Sequence, residues 1–168
     1  GVQETMTDPL NGWTGTYSGS LGKRPTTSGD GFGGSLAVSQ SEWIATNAKG
    51  ADMGVGGNNP RTISFWMYVM SGQHGDAGIY GYGTRSNTDG KNNMFALRSF
   101  WNGSNYTKMR SQHWGWDREI NVSEGVMNRW SHVFHIYTGT AVQAYVDNVK
   151  RYDETRTQIS TGEDHGIL

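Results

Sequence analysis

Apolar and polar residues alternate singly in several short runs of this chain, and a period of two marks a strand with one buried face. The clearest runs begin at Arg61. In "RTISFWMYVM" Ile63, Phe65, Met67 and Val69 share one face, the better candidate for the core, while Thr62, Ser64, Trp66 and Tyr68 share the other. "GIYGYG" (78–83), "MFALRSFW" (94–101) and "YTKMRSQHW" (106–114) read as further strands, separated by the polar loop "TRSNTDGKNN" and an Asn-Gly turn at 102 and 103. In "NRWSHVFHIYTGTAVQAYVDNVKRY" Trp130, His132, Phe134 and Ile136 lie on one strand face and Ser131, Val133, His135 and Tyr137 on the other. Val142, Ala144 and Val146 point inward from the next strand, and Asp147-Asn148, which tolerate positive φ, close a hairpin onto a short third strand. About seven or eight strands at this spacing, with no convincing helix and no internal repeat, predict an all-β antiparallel sandwich.

The first 34 residues are rich in Gly, Ser, Thr and Asp, which predicts irregular structure with short edge strands. "SLAVS" (35–39) reads as a short strand, and "SEWIATNAKGADMG" (41–54) fits either a turn of helix or a strand. At 168 residues the chain is read as one domain over 1–168, of a size that buries roughly 70% of its unfolded surface. Only 34% of residues are apolar, yet 7 Trp, 8 Tyr and 5 Phe supply large buried areas, and 25 Gly argue against long helices. The absence of cysteine excludes disulfides and thiolate zinc sites. Lys and Arg total 14 against 15 Asp and Glu and are scattered, which argues against a nucleic-acid partner. The longest apolar run is far short of the ~20 residues that cross a bilayer, so no membrane insertion is expected. "GVQETMTDPL" has no charged-then-apolar leader pattern, which fits a piece of a longer or processed polypeptide.

His132 and His135 stand three apart, and on a strand that spacing points them to opposite faces, so they cannot share an ion. One is expected to be half-buried with its ring nitrogens bonded to backbone, the other to lie across the sheet. The segment 128–152 resembles the "Trp-Thr-His-Val-Ala … Tyr-Asp-Gly … Tyr-Val-Asn-Gly" stretch of laminin-G-like, concanavalin-A-like jelly-roll domains, and "RTISFWMYV" resembles their "Thr-Ile-Ser-Ala-Trp-Val" strand. With the glycine-rich "GIYGYG … FALR" between them, the resemblance covers about residues 61–152. The first 60 residues match poorly, and the closing strands of the family pattern are missing after Leu168 or supplied by the N-terminal part. The resemblance implies that Trp130, His132 and the Tyr145-Val146-Asp147-Asn148 hairpin are framework positions.

Sandwiches of this kind include glucanases, which need two carboxylates about 5 Å apart, commonly from one alternating acidic motif. No such motif occurs here, and Asp76, Asp89, Asp117, Glu119, Asp153, Glu154, Glu163 and Asp164 fall in turn-like contexts, which argues against hydrolysis. There is no Gly-x-Ser-x-Gly for a nucleophile, and "GVGGNN" lacks the Lys-Ser/Thr of a phosphate loop. Calcium is the one cofactor the sequence suggests: "SNTDGKNN" offers Asn87, Asp89 and Asn92, and "GQHGDAG" offers Asp76. A solvated turn is the alternative for these loops. Aromatic residues give the strongest functional hint. Trp101, Tyr106, Trp114 and Trp116 crowd into sixteen residues, and flat rings stack on sugars while polar neighbours take the hydroxyls. Trp116, Trp114, Asp117, Arg118 and Tyr106, with Tyr82 and Arg85, form the expected ligand site, with Trp101 and Trp114 alternatively core. Three sequons, at Asn102, Asn105 and Asn121, offer glycan acceptors in a secreted protein.

The expectation is a non-catalytic binding module of an extracellular or surface-exposed protein, its partner a glycan. The alternative is a structural module of a virion or cell-surface assembly whose partner is a protein neighbour. A polysaccharide hydrolase or lyase accessory domain ranks third, and oligomeric state is open.

Overall fold

The computed structural model describes residues 5–7, 14–17, 44–47, 49–70, 78–83, 94–100, 107–113, 115–157 and 159–162. The chain divides into two compact units, Gly1–Asn47 and Ala48–Ile167, and the boundary falls inside the N-terminal stretch that matches the family pattern poorly. In the first unit β1 (Thr5–Thr7), β2 (Thr14–Tyr17) and β3 (Ile44–Thr46) form an antiparallel sheet in that order. The ambiguous segment at 41–54 thus contains a strand. Asn47 closes it, taking the Thr14 amide proton on its side chain at 2.8 Å while its own amide donates to the Thr14 carbonyl at 3.0 Å. "SLAVS" lies outside the described residues.

Among the described residues the second unit holds eight strands and no helix: β4 (Arg61–Tyr68), β5 (Gly78–Gly83), β6 (Met94–Phe100), β7 (Lys108–Gln112), β8 (Arg118–Asn121), β9 (Trp130–Tyr137), β10 (Ala141–Val146) and β11 (Val149–Thr155). They form two four-stranded antiparallel sheets, ordered β11-β10-β9-β4 and β5-β6-β7-β8. The chain therefore leaves the first sheet after β4, builds the whole second sheet as a meander, and returns to lay β9 beside β4. The inner faces meet in two apolar clusters. One joins Met67, Val133, Ala144 and Val146 to Leu97, Met109 and Ile120; the other joins Tyr137 and Val142 to Tyr82 and Phe95, with Trp116 and Ile159. This is the expected all-β antiparallel sandwich.

The alternation decides which faces are inside. β9 is buried at Ser131, Val133, His135 and Tyr137 and open at Trp130, His132, Phe134 and Ile136, and β10 follows the same rhythm. β4 buries Arg61 and Met67 and exposes Thr62, Ser64, Trp66 and Tyr68. One strand escaped the sequence pattern: β8 carries Arg118 and Glu119, which had read as a turn, and Asp153 and Glu154 stand on β11. Both have the same cause, since these strands lie at sheet edges where one face is wet and charge is tolerated.

The β10–β11 hairpin turns on Asp147 and Asn148 with φ of 51° and 65°, as a two-residue type I′ turn requires. Asp147 also ties the turn down, accepting the His132 amide proton at 2.8 Å and pairing with Arg129 at 2.6 Å. Replacing Asn148 by Val puts a β-branched side chain into the left-handed region. Chemical denaturation is expected to show a loss of about 1–2 kcal/mol.

Candidate functional site

Of the expected ligand site, Trp116 and Tyr82 lie in the core, Arg118 is half-buried, Asp117 is exposed and the other members are undescribed. Tyr106, Trp114 and Arg85 lie outside the described residues, as do the calcium candidates Asn87, Asp89, Asp76 and Asn92. Among the described residues no group of three or more His, Cys, Asp or Glu is placed to hold a metal. Trp116, expected to offer a ring to a sugar, is only 8% exposed and belongs to the core. Gly115, at φ 80°, turns the chain so that the indole folds inward. There the Arg118 and Arg156 guanidinium groups each lie 4.5 Å from its centroid and His113 lies 5.0 Å away, so neighbours, not solvent, cover it. Tyr82 is 2% exposed and donates to the Val55 carbonyl at 3.1 Å; burial first, eased by Arg61, pushes its phenol up to about 12. Arg118 is bound to Glu154 at 3.0 Å and to the Asp117 carbonyl at 3.0 Å. Of the described members, Asp117 alone is exposed.

A second arrangement resembles catalytic machinery. Ser111, His113 and His135 are fully buried between the sheets and linked to Tyr80. Their protons can be assigned by following the acceptors. The His113 Nδ1 faces the Met94 carbonyl at 3.2 Å, so Nδ1 carries the proton and Nε2 accepts from the Ser111 hydroxyl at 2.7 Å. The Ser111 oxygen then accepts from His135 Nε2–H at 2.8 Å, leaving His135 Nδ1 to accept the Tyr80 hydroxyl proton. Between the Tyr80 hydroxyl, which gives a proton, and the Met94 carbonyl, which takes one, each ring and the serine gives one proton and takes one, and the rings are neutral. Burial holds His113 down at about 3 and His135 well below the ordinary histidine value; Tyr80, buried and beside Tyr82, is held well above its own. A serine bonded to an imidazole is the beginning of a nucleophile site. Here both serine lone-pair and proton are committed, no carboxylate joins the line, and Phe95 stacks on His135 at 4.3 Å and 7°. It is a polar bolt across the core. The expectation that a half-buried histidine would bond to backbone is corrected: His135 is fully buried and bonds to side chains of the opposite sheet, because its face of β9 is the inner one.

The open chemistry lies on the outer face of the β11-β10-β9-β4 sheet. Trp66 is 46% exposed and Tyr68 38%, alternate residues on the same side of β4, an edge strand among the described residues, and Met70, just past the end of the strand, is 40% exposed. Register places Trp66 opposite His132 and Tyr68 opposite Trp130. The Trp66 and His132 rings stack at 4.7 Å and 11°, and His132 Nε2 is 2.9 Å from the Ser64 hydroxyl, so the imidazole is pinned and in turn holds the indole upright. Trp130 meets Tyr68 edge to face at 5.7 Å. Farther across the sheet, Phe134 lies opposite Tyr145, and Gln143 and Lys150 bind Asp153 at 3.2 and 2.8 Å. Trp130 and His132 each pack against an exposed ring of β4, Tyr68 and Trp66 respectively. The signal for this row was present in the sequence, since Trp66 and Tyr68 are large aromatics on the polar side of an alternating strand.

No protein-family model and no curated protein matches the chain. Among solved structures it is similar to domain 4 of AbnA, a GH43 extracellular arabinanase from Geobacillus stearothermophilus, in complex with arabinotriose. The match has a TM-score of 0.60 and 16% identity and covers 91% of this chain and 71% of that one. At that identity the likeness is one of fold, and it agrees with the antiparallel sandwich.

Proposed function

We propose that this chain is a non-catalytic carbohydrate-binding module of an extracellular or surface-exposed protein, and that it binds through the outer aromatic row on β4. Within the sandwich fold we assign it to the laminin-G-like, concanavalin-A-like jelly rolls, on the strength of its Trp130–His132 and Tyr145–Asn148 segments. The observation that carries the function is the exposed Trp66 held upright by the His132 stack. A fixed indole offers an apolar face to sugar C–H groups without an ordering cost, and Ser64, Thr62 and Gln143 stand nearby on the same sheet face for hydroxyls. The arabinotriose bound to the similar AbnA domain supports the ligand class. The single Ser–His line in the described core is sealed, which favours binding over hydrolysis.

A glycan array probed with the purified protein, in calcium and in chelator, tests this reading. Wild type is expected to bind, and Trp66→Ala to lose at least tenfold in affinity while its thermal unfolding stays near wild type. Equal binding by the variant would move the site elsewhere. A blank array in both conditions would abandon the glycan for a protein neighbour docking on the same apolar row.

A further inference from the structure

Resting on the carbohydrate reading, we infer that Asp153 is the specificity-determining acceptor of the outer face, taking two adjacent hydroxyls of a sugar ring that lies over Phe134, Ile136 and Tyr145. Asp153 stands on β11, at the opposite edge of the sheet from β4. Register arranges the outward side chains of β9, β10 and β11 as two rows across the strands: Phe134, Tyr145 and Lys150 in one, Ile136, Gln143 and Asp153 in the other. Strands lie about 4.8 Å apart and outward neighbours along a strand about 6.6 Å apart, so Phe134, Tyr145, Ile136 and Gln143 frame an area the size of one sugar ring. Phe134, Ile136 and Tyr145 are half-buried and form its apolar floor, while Lys150 and Asp153 are exposed at its rim. A sugar ring divides in the same way, with C–H groups on its faces and hydroxyls around its edge.

The strand period alone does not bring the two rim groups together. Lys150 and Asp153 are three apart, a spacing that points to opposite faces on a regular strand. The β10–β11 register shifts between Ala144, opposite Tyr152, and Tyr145, opposite Lys150, which leaves Arg151 as the extra residue of a β-bulge. The bulge keeps Lys150 on the outer face while Tyr152 packs against the core. Bulges re-aim side chains beside sites, and this one delivers an ammonium to the Asp153 carboxylate at 2.8 Å. Gln143 holds the same carboxylate from the neighbouring strand, its amide 3.3 and 3.2 Å from the two oxygens. Asp153 is thereby oriented before a ligand arrives, yet 42% of its side chain is open to solvent. Its Oδ1 receives only the long Gln143 contact among the described residues, so lone pairs remain for hydroxyl donors. Lys150 and Gln143 also hold its pKa below the ordinary aspartate value, and bonds from hydroxyls to the charged carboxylate are the strong, charge-assisted kind. Lys150, 5.8 Å from the centre of the Tyr145 ring, brings N–H donors for the hydroxyl oxygens, so each sugar hydroxyl can both give and accept.

Titration calorimetry on the full chain with xylotriose, arabinotriose and cellotriose, each also in per-O-methylated form, tests the inference. At least one free trisaccharide is expected to bind, and its methylated form, which has no hydroxyl to donate, to give no heat. Asp153→Ala should weaken that trisaccharide by about tenfold or more, the usual loss of hydrogen bonds to a charged group. Asp153→Asn, which keeps the shape and one acceptor oxygen, should lose less, and Gln143→Leu, which only releases the carboxylate, less again. Thermal unfolding of all three is expected to stay near wild type, because an exposed ion pair adds little to stability. Trp66→Ala is titrated in parallel. Asp153→Ala binding within about twofold of wild type, while Trp66→Ala loses its affinity, would overturn the acceptor role and leave carbohydrate binding standing. Loss in Asp153→Ala alone would uphold the acceptor and move the whole site from β4 to this part of the face. No heat with any sugar from folded wild type would bring down the proposed function together with this inference.

Discussion

Arg61→Met is expected to lower stability by about 3–5 kcal/mol in chemical denaturation, the largest single-residue loss in this fold. Arg61 is 4% exposed at the start of β4, on the inner face. Among the described residues no carboxylate meets it. Its guanidinium instead donates to the carbonyls of Val55 at 2.9 Å, Gly57 at 3.1 Å and Asn59 at 2.9 Å through one nitrogen, and to the Ile159 carbonyl at 3.3 Å and the Thr161 hydroxyl through the other. The rings of Phe95 and Tyr137 lie 4.8 and 4.9 Å from its centre. One side chain thus fastens the 55–59 loop and the 159–161 segment to the sandwich, where Gly57 and Thr161 also bond backbone to backbone.

Burial pulls the Arg61 pKa below its ordinary value, a sign that holding the charge there has a cost. That cost is met by the carbonyl cage, and removal of the guanidinium takes a donor from every acceptor in it, with Tyr82 still serving the Val55 carbonyl and the Thr161 amide those of Gly57 and Ile159. Arg61→Lys tests the geometry separately, because an ammonium keeps the charge but cannot fork between two segments. It is expected to lose nearly as much as Met, with hydrogen exchange at Gly57 and Thr161 speeding up first. A loss under about 1 kcal/mol for Met would mean that the cage closes without the cation.

The contrast between Arg61 and Trp116 shows what the sequence could convey. Arg61 has the parity of Ile63, Phe65 and Met67, so the alternation already pointed it inward; its charge alone argued otherwise. β4, β9 and β10 were legible for the same reason, a period of two sustained over six to eight residues. β8 spans four residues, two of them charged, too few for the period to speak. The fate of Trp116 depends on Arg156, forty residues later, and on the turn at Gly115. No local pattern encodes that meeting. Trp116 was expected at the surface for a related reason: crowding of aromatics along the chain drew attention to 101–116, whereas the exposed rings of β4 needed only the outward parity of Trp66 and Tyr68. Likewise the alternation put His135 inside, but its partners Tyr80 and Ser111 come from the facing sheet, and sequence period fixes no register between sheets.

Those partners make the protein acid-sensitive above the range where its carboxylates titrate. In the unfolded chain a histidine titrates near 6.5. In the fold burial holds His113 at about 3 and His135 well below its ordinary value. Between these limits the unfolded chain binds protons that the native chain refuses. Stability is therefore complete above about pH 6.5 and falls as pH drops, by about 1.4 kcal/mol per unit for each histidine once it is charged in the unfolded state. For His113 the decline levels only near pH 3, where the native ring also takes its proton. The hydrogen-bond line explains the refusal: Nδ1 of His135 already receives the Tyr80 proton and Nε2 of His113 that of Ser111, so an added proton on either ring opposes a donor. Denaturation curves at steps from pH 7 to 4.5 should lose about 2–3 kcal/mol over that span from His113 alone, with His135 adding to the loss in the same direction. Asp153, held low by Lys150 and Gln143, contributes nothing to the slope there, since its stabilisation is lost only at lower pH. His113→Gln is expected to be less stable at pH 7 and to lose stability with acid at about half the wild-type slope, one proton being refused instead of two. A wild-type curve flat between pH 6 and 5 would mean that these rings can be charged in place, and would remove the neutral bolt from the account of the core.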